Sequence, residues 1–209
     1  NSLTIPFYYN LANSAHPPKT ANANTIRSLH GVYSDINLSY RNFLFLGLTG
    51  RNDWSSTLPK SKNNFFYPSV NSSLVLSEAF NLPKAVSYAK IRASAAQVGN
   101  DAAPYLLQSV FLTGSITDGQ QNSQVDLPLN GIAGFTQSGN IGNPNLKPEI
   151  TTSYELGLEL GLFNNRFNFE GTVYSNRSKD QIITVPTAAT TGFTTITLNA
   201  GLITNKGIE

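Results

Sequence analysis

Residues 153–174 read SYELGLELGLFNNRFNFEGTVY, and the period of this stretch decides the fold. Tyr154, Leu156, Leu158, Leu160 and Leu162 recur at every second position, with Ser153, Glu155, Gly157, Glu159 and Gly161 between them. After Asn164-Asn165 the alternation resumes, Phe167, Phe169, Gly171 and Val173 on one side and Asn168, Glu170, Thr172 and Tyr174 on the other. A period of two places each set on one face of a β-strand. If Asn164-Asn165 is a two-residue hairpin turn, Leu160 faces Phe169 and Leu156 faces Val173 on the apolar side. Glu155 then faces Tyr174, and Glu159 faces Glu170, on the polar side. Carboxylates opposed in this way are costly in a dry core and tolerable beside water or a cation. The polar face is therefore expected to be wet. Leu156, Leu158, Leu160, Phe169 and Val173 are expected to meet lipid.

The same alternation extends outward along the chain. It is found over Leu29 to Tyr40, from Leu44 to Arg51, from Tyr67 to Leu76, over Ala89 to Ala95, and more weakly from Ile196 to Leu202. One short helix is expected near Ser77 to Leu82, stopped by Pro83. The connections fall into two classes. Arg41 to Phe43, Ala79 to Ser87 and Asn164-Asn165 are short; Asn52 to Asn64, Asn100 to Ile150 and Arg177 to Thr194 are long. Alternate connections of an antiparallel meander lie at the same end, so all the long loops fall at one end of the sheet. That asymmetry is the pattern of an outer-membrane barrel, with short periplasmic turns and long extracellular loops. Strand cores of roughly 9–12 residues match a tilted membrane-spanning strand and are about twice the usual soluble length. Tyr40, Phe43, Phe163 and Phe167 fall at the short-turn end, where an interfacial aromatic girdle belongs. Seven strands do not close such a barrel, whose single-chain bacterial forms have even counts from eight upward. The expectation is an all-β fold in which residues 1–209 form antiparallel transmembrane strands, an arc of a larger barrel, with 100–150 as a long extracellular loop.

Composition fits this expectation. Only 12% of the 209 residues are charged, against roughly 25% in an average soluble domain. Such a chain lacks the material of a helical bundle, and with 11% aromatic residues it does not read as disordered. A net charge of +2 gives no pull toward nucleic acid. The absence of Cys excludes disulfides, thiolate zinc sites and thiol catalysis. The absence of Met, position 1 included, points to a processed product or a piece of something larger.

Candidate functional residues follow from the two faces. Asp35, Asn37, Lys90, Arg92, Glu155, Glu159, Glu170 and Tyr174 are candidates to line a lumen, with Lys90 and Arg92 able to balance the carboxylates. Arg51, Asp53 and Trp54, beside the Ser55-Ser56-Thr57 run, and Tyr105 in the 100–150 connection are candidates for extracellular ligand contact, where an aromatic ring stacks on a sugar or peptide. Glu155 and Glu159 are roughly 13 Å apart along one strand, beyond either glycosidase separation. Nothing suggests an apolar pocket that would raise one carboxyl. His16 and His30, the only histidines, have no partner at metal-ligand spacing. No nucleophile elbow, phosphate loop or dinucleotide fingerprint occurs. No cofactor, metal or catalytic residue is expected.

Several motifs at these positions resemble one family. GNPNLKPEITTSYELGLE, Gly142 to Glu159, resembles a signature in the C-terminal half of TonB-dependent outer-membrane receptors. The segment Phe163 to Asp180, opening FNNRF, looks like the hairpin partner that follows it, and NKGIE at Asn205 to Glu209 resembles a later strand entry. RNDWSS at Arg51 to Ser56, FYPSV at Phe66 to Val70 and KIRASAAQVGN at Lys90 to Asn100 resemble the SusC/RagA branch of Bacteroidetes. Ala95-Ala96, Val98 and Trp54 depart from that branch's usual wording. The resemblance implies a 22-stranded barrel in the bacterial outer membrane, with an N-terminal plug that is not among these residues. It implies energised import of a small glycan or peptide through the TonB complex, together with a SusD-like surface lipoprotein. A soluble secreted all-β adhesin or glycan-binding module is the alternative reading, and an outer-membrane enzyme a weaker third.

Overall fold

The alternating segments pair edge to edge into one antiparallel sheet. The computed structural model describes residues 4–10, 13, 24–113, 115–117, 124–127 and 132–209. Its first half contains β1 (Leu29–Tyr40), β2 (Leu44–Ser55), β3 (Asn64–Val75), the one-turn helix α1 (Leu76–Ala79) and β4 (Val86–Asn100). Among the described residues the long connection holds five short strands, β5 (Phe111–Thr113), β6 (Ser115–Thr117), β7 (Gln124–Asp126), β8 (Phe135–Gln137) and β9 (Asn140–Ile141). The second half contains β10 (Glu149–Leu162), β11 (Phe167–Lys179), β12 (Ile182–Pro186), β13 (Thr195–Asn199) and β14 (Leu202–Ile208). Seven of these form the main sheet, in the order β1-β2-β3-β4-β10-β11-β14. The barrel is not closed: β1 and β14 stand at the two ends of that order.

The register follows from the turns. Leu160 lies opposite Phe169, Leu156 opposite Val173, Glu155 opposite Tyr174 and Glu159 opposite Glu170, as a two-residue turn requires. Asn164 and Asn165 take φ of 57° and 59°, the left-handed pair of the hairpin turn that matches strand twist. Arg41 and Asn42 do the same between β1 and β2, with φ of 46° and 56°.

Three sequence expectations are corrected. The strands run further toward the long-loop end than the alternation suggests: β2 continues to Ser55 and β11 to Lys179. Arg51, Asp53 and Trp54 are therefore strand residues, and the loop after β2 begins only at Ser56. Ladder hydrogen bonds continue there although both faces have become polar, which erases the period-two signal. The weak seventh segment divides at Ala200-Gly201, where Gly201 takes φ of 99°. Its first part, β13, joins β12 and β9 in a small separate sheet, and the main sheet is completed by β14, which pairs with β11. The helix spans Leu76–Ala79 rather than Ser77 to Leu82.

Cross-strand pairing assigns every strand residue to a face. Ile36, Leu48, Val70, Ala95 and Tyr154 follow one another across the sheet, as do Leu74, Ile91, Leu158 and Gly171. This apolar face is uncovered, with Leu156 52% and Phe169 59% exposed. The buried cluster lies elsewhere. Leu58, Phe65, Ala102 and Leu146 pack together at the long-loop end, with Tyr67, Leu106, Leu107 and Ile182 against them. Phe65 and Tyr67 stand on the polar face of β3, so the loops fold inward over that face.

Candidate functional site

The polar face carries two groups of charged residues, one toward each end. Toward the short turns, Lys90 and Arg92 of β4 meet the carboxylates of β10 and β11. Lys90 Nζ is 3.2 Å from Glu159 Oε1. Arg92 Nη2 donates to Glu170 Oε1 at 2.6 Å and to Thr172 Oγ1 at 2.8 Å. The facing pair Glu159 and Glu170 is thus held by two cations, the balance expected from the sequence. Glu155 lies between Ser94 and Tyr174, and with Lys90 and Arg92 it borders a shallow depression that includes Asn71 and Ser73. Asp35 and Asn37 stand on the polar side of β1, where the Asn37 amide donates to the Asp35 carboxylate. All eight lumen-lining candidates therefore share one face.

Toward the long loops, Tyr33, Arg51 and Tyr67 form a row across β1, β2 and β3. Arg51 Nε donates to Asp53 Oδ1 at 2.8 Å, and the Tyr67 hydroxyl donates to the other Asp53 oxygen. The four ligand-contact candidates do not form one site. Arg51 and Asp53 are on the polar face; Trp54 is on the apolar face, between His30 and Asn64. Tyr105 lies outside the main sheet, its hydroxyl accepting from the Ile26 backbone N–H at 3.1 Å.

Sequence reasoning missed the rim. Asp101 follows the last residue of β4, and Arg27 precedes β1. Arg27 donates to both Asp101 oxygens, at 3.1 and 2.5 Å. Thr57 Oγ1 donates to Asp101 at 3.0 Å, and the Ser55 hydroxyl donates to the same oxygen. Burial alone would raise the Asp101 carboxyl; the Ser55, Thr57 and Arg27 hydrogen bonds and the Arg27 charge outweigh it and hold it below the usual carboxylate value.

The NPNLKPE run, Asn143 to Glu149, is a clamp between the two longest loops. Leu146 is fully buried. Asn143 Nδ2 donates to the Thr197 carbonyl at 3.0 Å. Lys147 N donates to Asn199 Oδ1 at 2.9 Å, and Asn199 Nδ2 returns a bond to the Lys147 carbonyl at 2.8 Å. Lys147 Nζ lies 2.8 Å from Asp180 Oδ1, and Glu149 Oε1 accepts from Ile182 N at 2.7 Å. The motif is visible in the sequence, but its partners are 33 to 54 positions away, beyond any local signal.

At the short-turn end, Tyr40 and Phe43 meet edge to face with centroids 5.6 Å apart, and Phe163 and Phe167 do so at 6.2 Å. The four expected girdle residues form two pairs, one on each hairpin. Among the described residues no group of three or more His, Cys, Asp or Glu is arranged to hold a metal ion.

Comparison with known proteins gives the same architecture. The family model described as TonB dependent receptor-like, beta-barrel, matches residues 2–209. TonB-dependent receptor P26 of Formosa agariphila is 31% identical over 182 residues, 85% of this chain and 17% of the relative. TonB-dependent receptor P3 of the same organism is 26% identical over 205 residues, 97% of this chain and 20% of the relative. The solved RagAB peptide transporter superposes with a TM-score of 0.74 at 22% identity, covering 98% of this chain and 22% of that one, a likeness of fold. The chain thus spans about a fifth of the length of these proteins.

Proposed function

This chain belongs to the TonB-dependent receptor β-barrel family, and from that premise we propose that it supplies strands and extracellular loops to an outer-membrane importer of small glycans or peptides. The observation that carries the proposal is the division of the sheet. One face is an uncovered, mainly apolar band from Ile36 to Val173, and the other gathers Arg51, Lys90, Arg92, Glu155, Glu159 and Glu170. An apolar face of this extent is suited to lipid, and a face of paired charges to a watered lumen. The remaining strands and the plug come from the rest of the receptor. Energy comes through the plug from the TonB complex, and a SusD-like lipoprotein covers the extracellular mouth. A peptide cargo draws support from the RagAB neighbours, which are described as a peptide transporter and a peptide importer. No covalent step is included, because Glu159 and Glu170 bind cations rather than sit in an apolar pocket.

The deciding experiment expresses the whole receptor in cells with and without a functional TonB complex. Uptake of labelled oligosaccharide and oligopeptide mixtures is followed, and the receptor is located by fractionation. The expected result is an outer-membrane protein whose uptake disappears without TonB. A receptor recovered as a soluble, monodisperse protein without detergent would instead favour the adhesin reading.

A further inference from the structure

We infer that the Tyr33–Arg51–Tyr67 row is a subsite for a carboxylate group of the imported ligand. The inference rests on the polar face being the channel lining. Tyr33 stands directly opposite Arg51 on one side, and Tyr67 directly opposite it on the other. The three side chains therefore lie on one line across β1, β2 and β3. With Thr49, Ser69 and Val98 they line a groove of about 400 Å³, within the usual size range of small-ligand sites.

The Arg51–Asp53 ion pair is lopsided toward the groove. The Asp53 side chain is 5% exposed and the Arg51 side chain 46%. Asp53 spends its two oxygens on Arg51 Nε and on the Tyr67 hydroxyl. The pair is neutral in sum, yet it presents only its positive end to the groove. Among the described residues, neither Nη1 nor Nη2 of Arg51 has a hydrogen-bond partner. Those two nitrogens are the fork that grips a carboxylate through two parallel bonds. Gly31 makes the arrangement possible: a Cβ there would come within 2.4 Å of Asp53 Oδ1 and 3.0 Å of Arg51 Nη2.

The flanking rings define the rest of the ligand. Tyr33 is 75% exposed, so its ring is free to stack on a sugar ring or a peptide plane. Asp35, one row further from the mouth on β1, is occupied by the Asn37 amide and repels an anion placed there. A carboxylate is thus directed to Arg51, with the attached ring or peptide unit laid across Tyr33. The carboxylate comes from a uronic acid or from a peptide, and the test separates the two.

The whole receptor, purified in detergent, is titrated with four probes. These are a tetragalacturonate and its methyl ester, and a tetra-alanine peptide with a free or an amidated C-terminus. The acid of one pair is expected to bind at least about tenfold more tightly than its blocked form, as bonds to a charged group warrant. In Arg51→Gln that preference should fall close to one, chiefly through loss of affinity for the acid; Arg51→Lys should restore part of it. If Arg51→Gln fails to reach the outer membrane, the Arg51→Gln/Asp53→Asn double variant, which leaves no buried charge unpaired, replaces it. Tyr33→Ala should weaken acid and blocked forms alike. A wild-type receptor without preference in either pair, or a preference that survives Arg51→Gln, overturns the subsite. TonB-dependent uptake measured in the same receptor keeps the two readings apart: its absence counts against import, and its presence with an unchanged acid preference in Arg51→Gln counts against the subsite alone.

Discussion

Arg92 reaches across a whole strand to bond Glu170. Its Nη2 lies 2.6 Å from Glu170 Oε1, although β10 runs between β4 and β11. Gly157, directly opposite Arg92 on β10, leaves the passage open: a Cβ there would lie 2.3 Å from Arg92 Nε and 2.7 Å from its Cγ. A glycine in a strand interior thus serves a neighbour's side chain. The contact lets one arginine serve both Thr172 and a carboxylate that faces another carboxylate.

Gly157→Ala should therefore push Arg92 aside and leave Glu159 and Glu170 opposed with only Lys90 between the strands. Glu170 is 61% exposed, so solvent screens the pair and the loss should be small, about 0.5 kcal/mol. The sharper measurement is a double-mutant cycle. Arg92→Met should cost about as much as Gly157→Ala, and the two together no more than either, because both remove one interaction. Additive losses in thermal unfolding of the receptor would mean that Arg92 does not depend on the gap at Gly157.

The two faces should differ sharply in their tolerance of charge. Leu158 stands opposite Ile91 and Gly171 in the middle of the apolar band. Leu158→Arg should cost roughly 2–4 kcal/mol if that band lies at the bilayer midplane and should reduce the receptor's yield in the outer membrane. Ser94→Lys, on the other face and opposite Glu155, should insert normally. Equal behaviour of the two variants would count against the assignment of the faces.

What was legible in the sequence was the part governed by short-range period and turn chemistry. The Leu160–Phe169 pairing could be read because Asn164-Asn165 fixes the register and one-sided apolarity fixes the face. Lys90 and Arg92 could be assigned to the carboxylates by parity alone. The route of Arg92 over Gly157 could not, since it depends on a missing Cβ on the strand that separates Arg92 from its target. Trp54 shows the opposite failure. Its neighbours Arg51 and Asp53 suggested one site, but adjacent strand residues point to opposite faces, and the unseen extension of β2 set Trp54 with His30 and Asn64 instead. The Ile196 to Leu202 alternation likewise reads as one strand of the main sheet, because apolar alternation does not distinguish a membrane strand from one whose first part, Thr195–Asn199, folds back to pair in parallel with Asn140-Ile141.

Leu146 anchors the two interlocked loops, and its removal should free them together. It is fully buried beside Phe65, Ala102 and Leu58, so Leu146→Ala should cost about 2–5 kcal/mol of local stability. The expected consequence is faster cleavage by an external protease in both 100–150 and 180–201 on intact cells. The strands themselves should stay protected, since the backbone ladder bonds at Phe65 and Tyr67 do not depend on the Leu146 side chain. Cleavage of one loop without the other would mean that the Asn143–Thr197 and Lys147–Asn199 bonds hold the rim without Leu146.

Asp101 should make the rim sensitive to acid. Its carboxyl is raised by burial, but the hydrogen bonds from Ser55, Thr57 and Arg27 and the Arg27 charge more than offset this and set it below its ordinary value. The opened rim therefore takes up a proton more readily than the closed one, and stability rises with pH in that range. The contribution is fully present above the unfolded carboxyl value of about 4; it is lost as pH falls from there through the lower folded value. Protease resistance at residues 24–28, which Arg27 ties down, should be constant from pH 7 to about 5 and fall steeply below about 4. Asp101→Asn should lower resistance at pH 7 by the equivalent of about 1–3 kcal/mol and flatten the acid limb. A variant that keeps the wild-type pH profile would place the titration on another group and leave Asp101 a neutral participant in the rim.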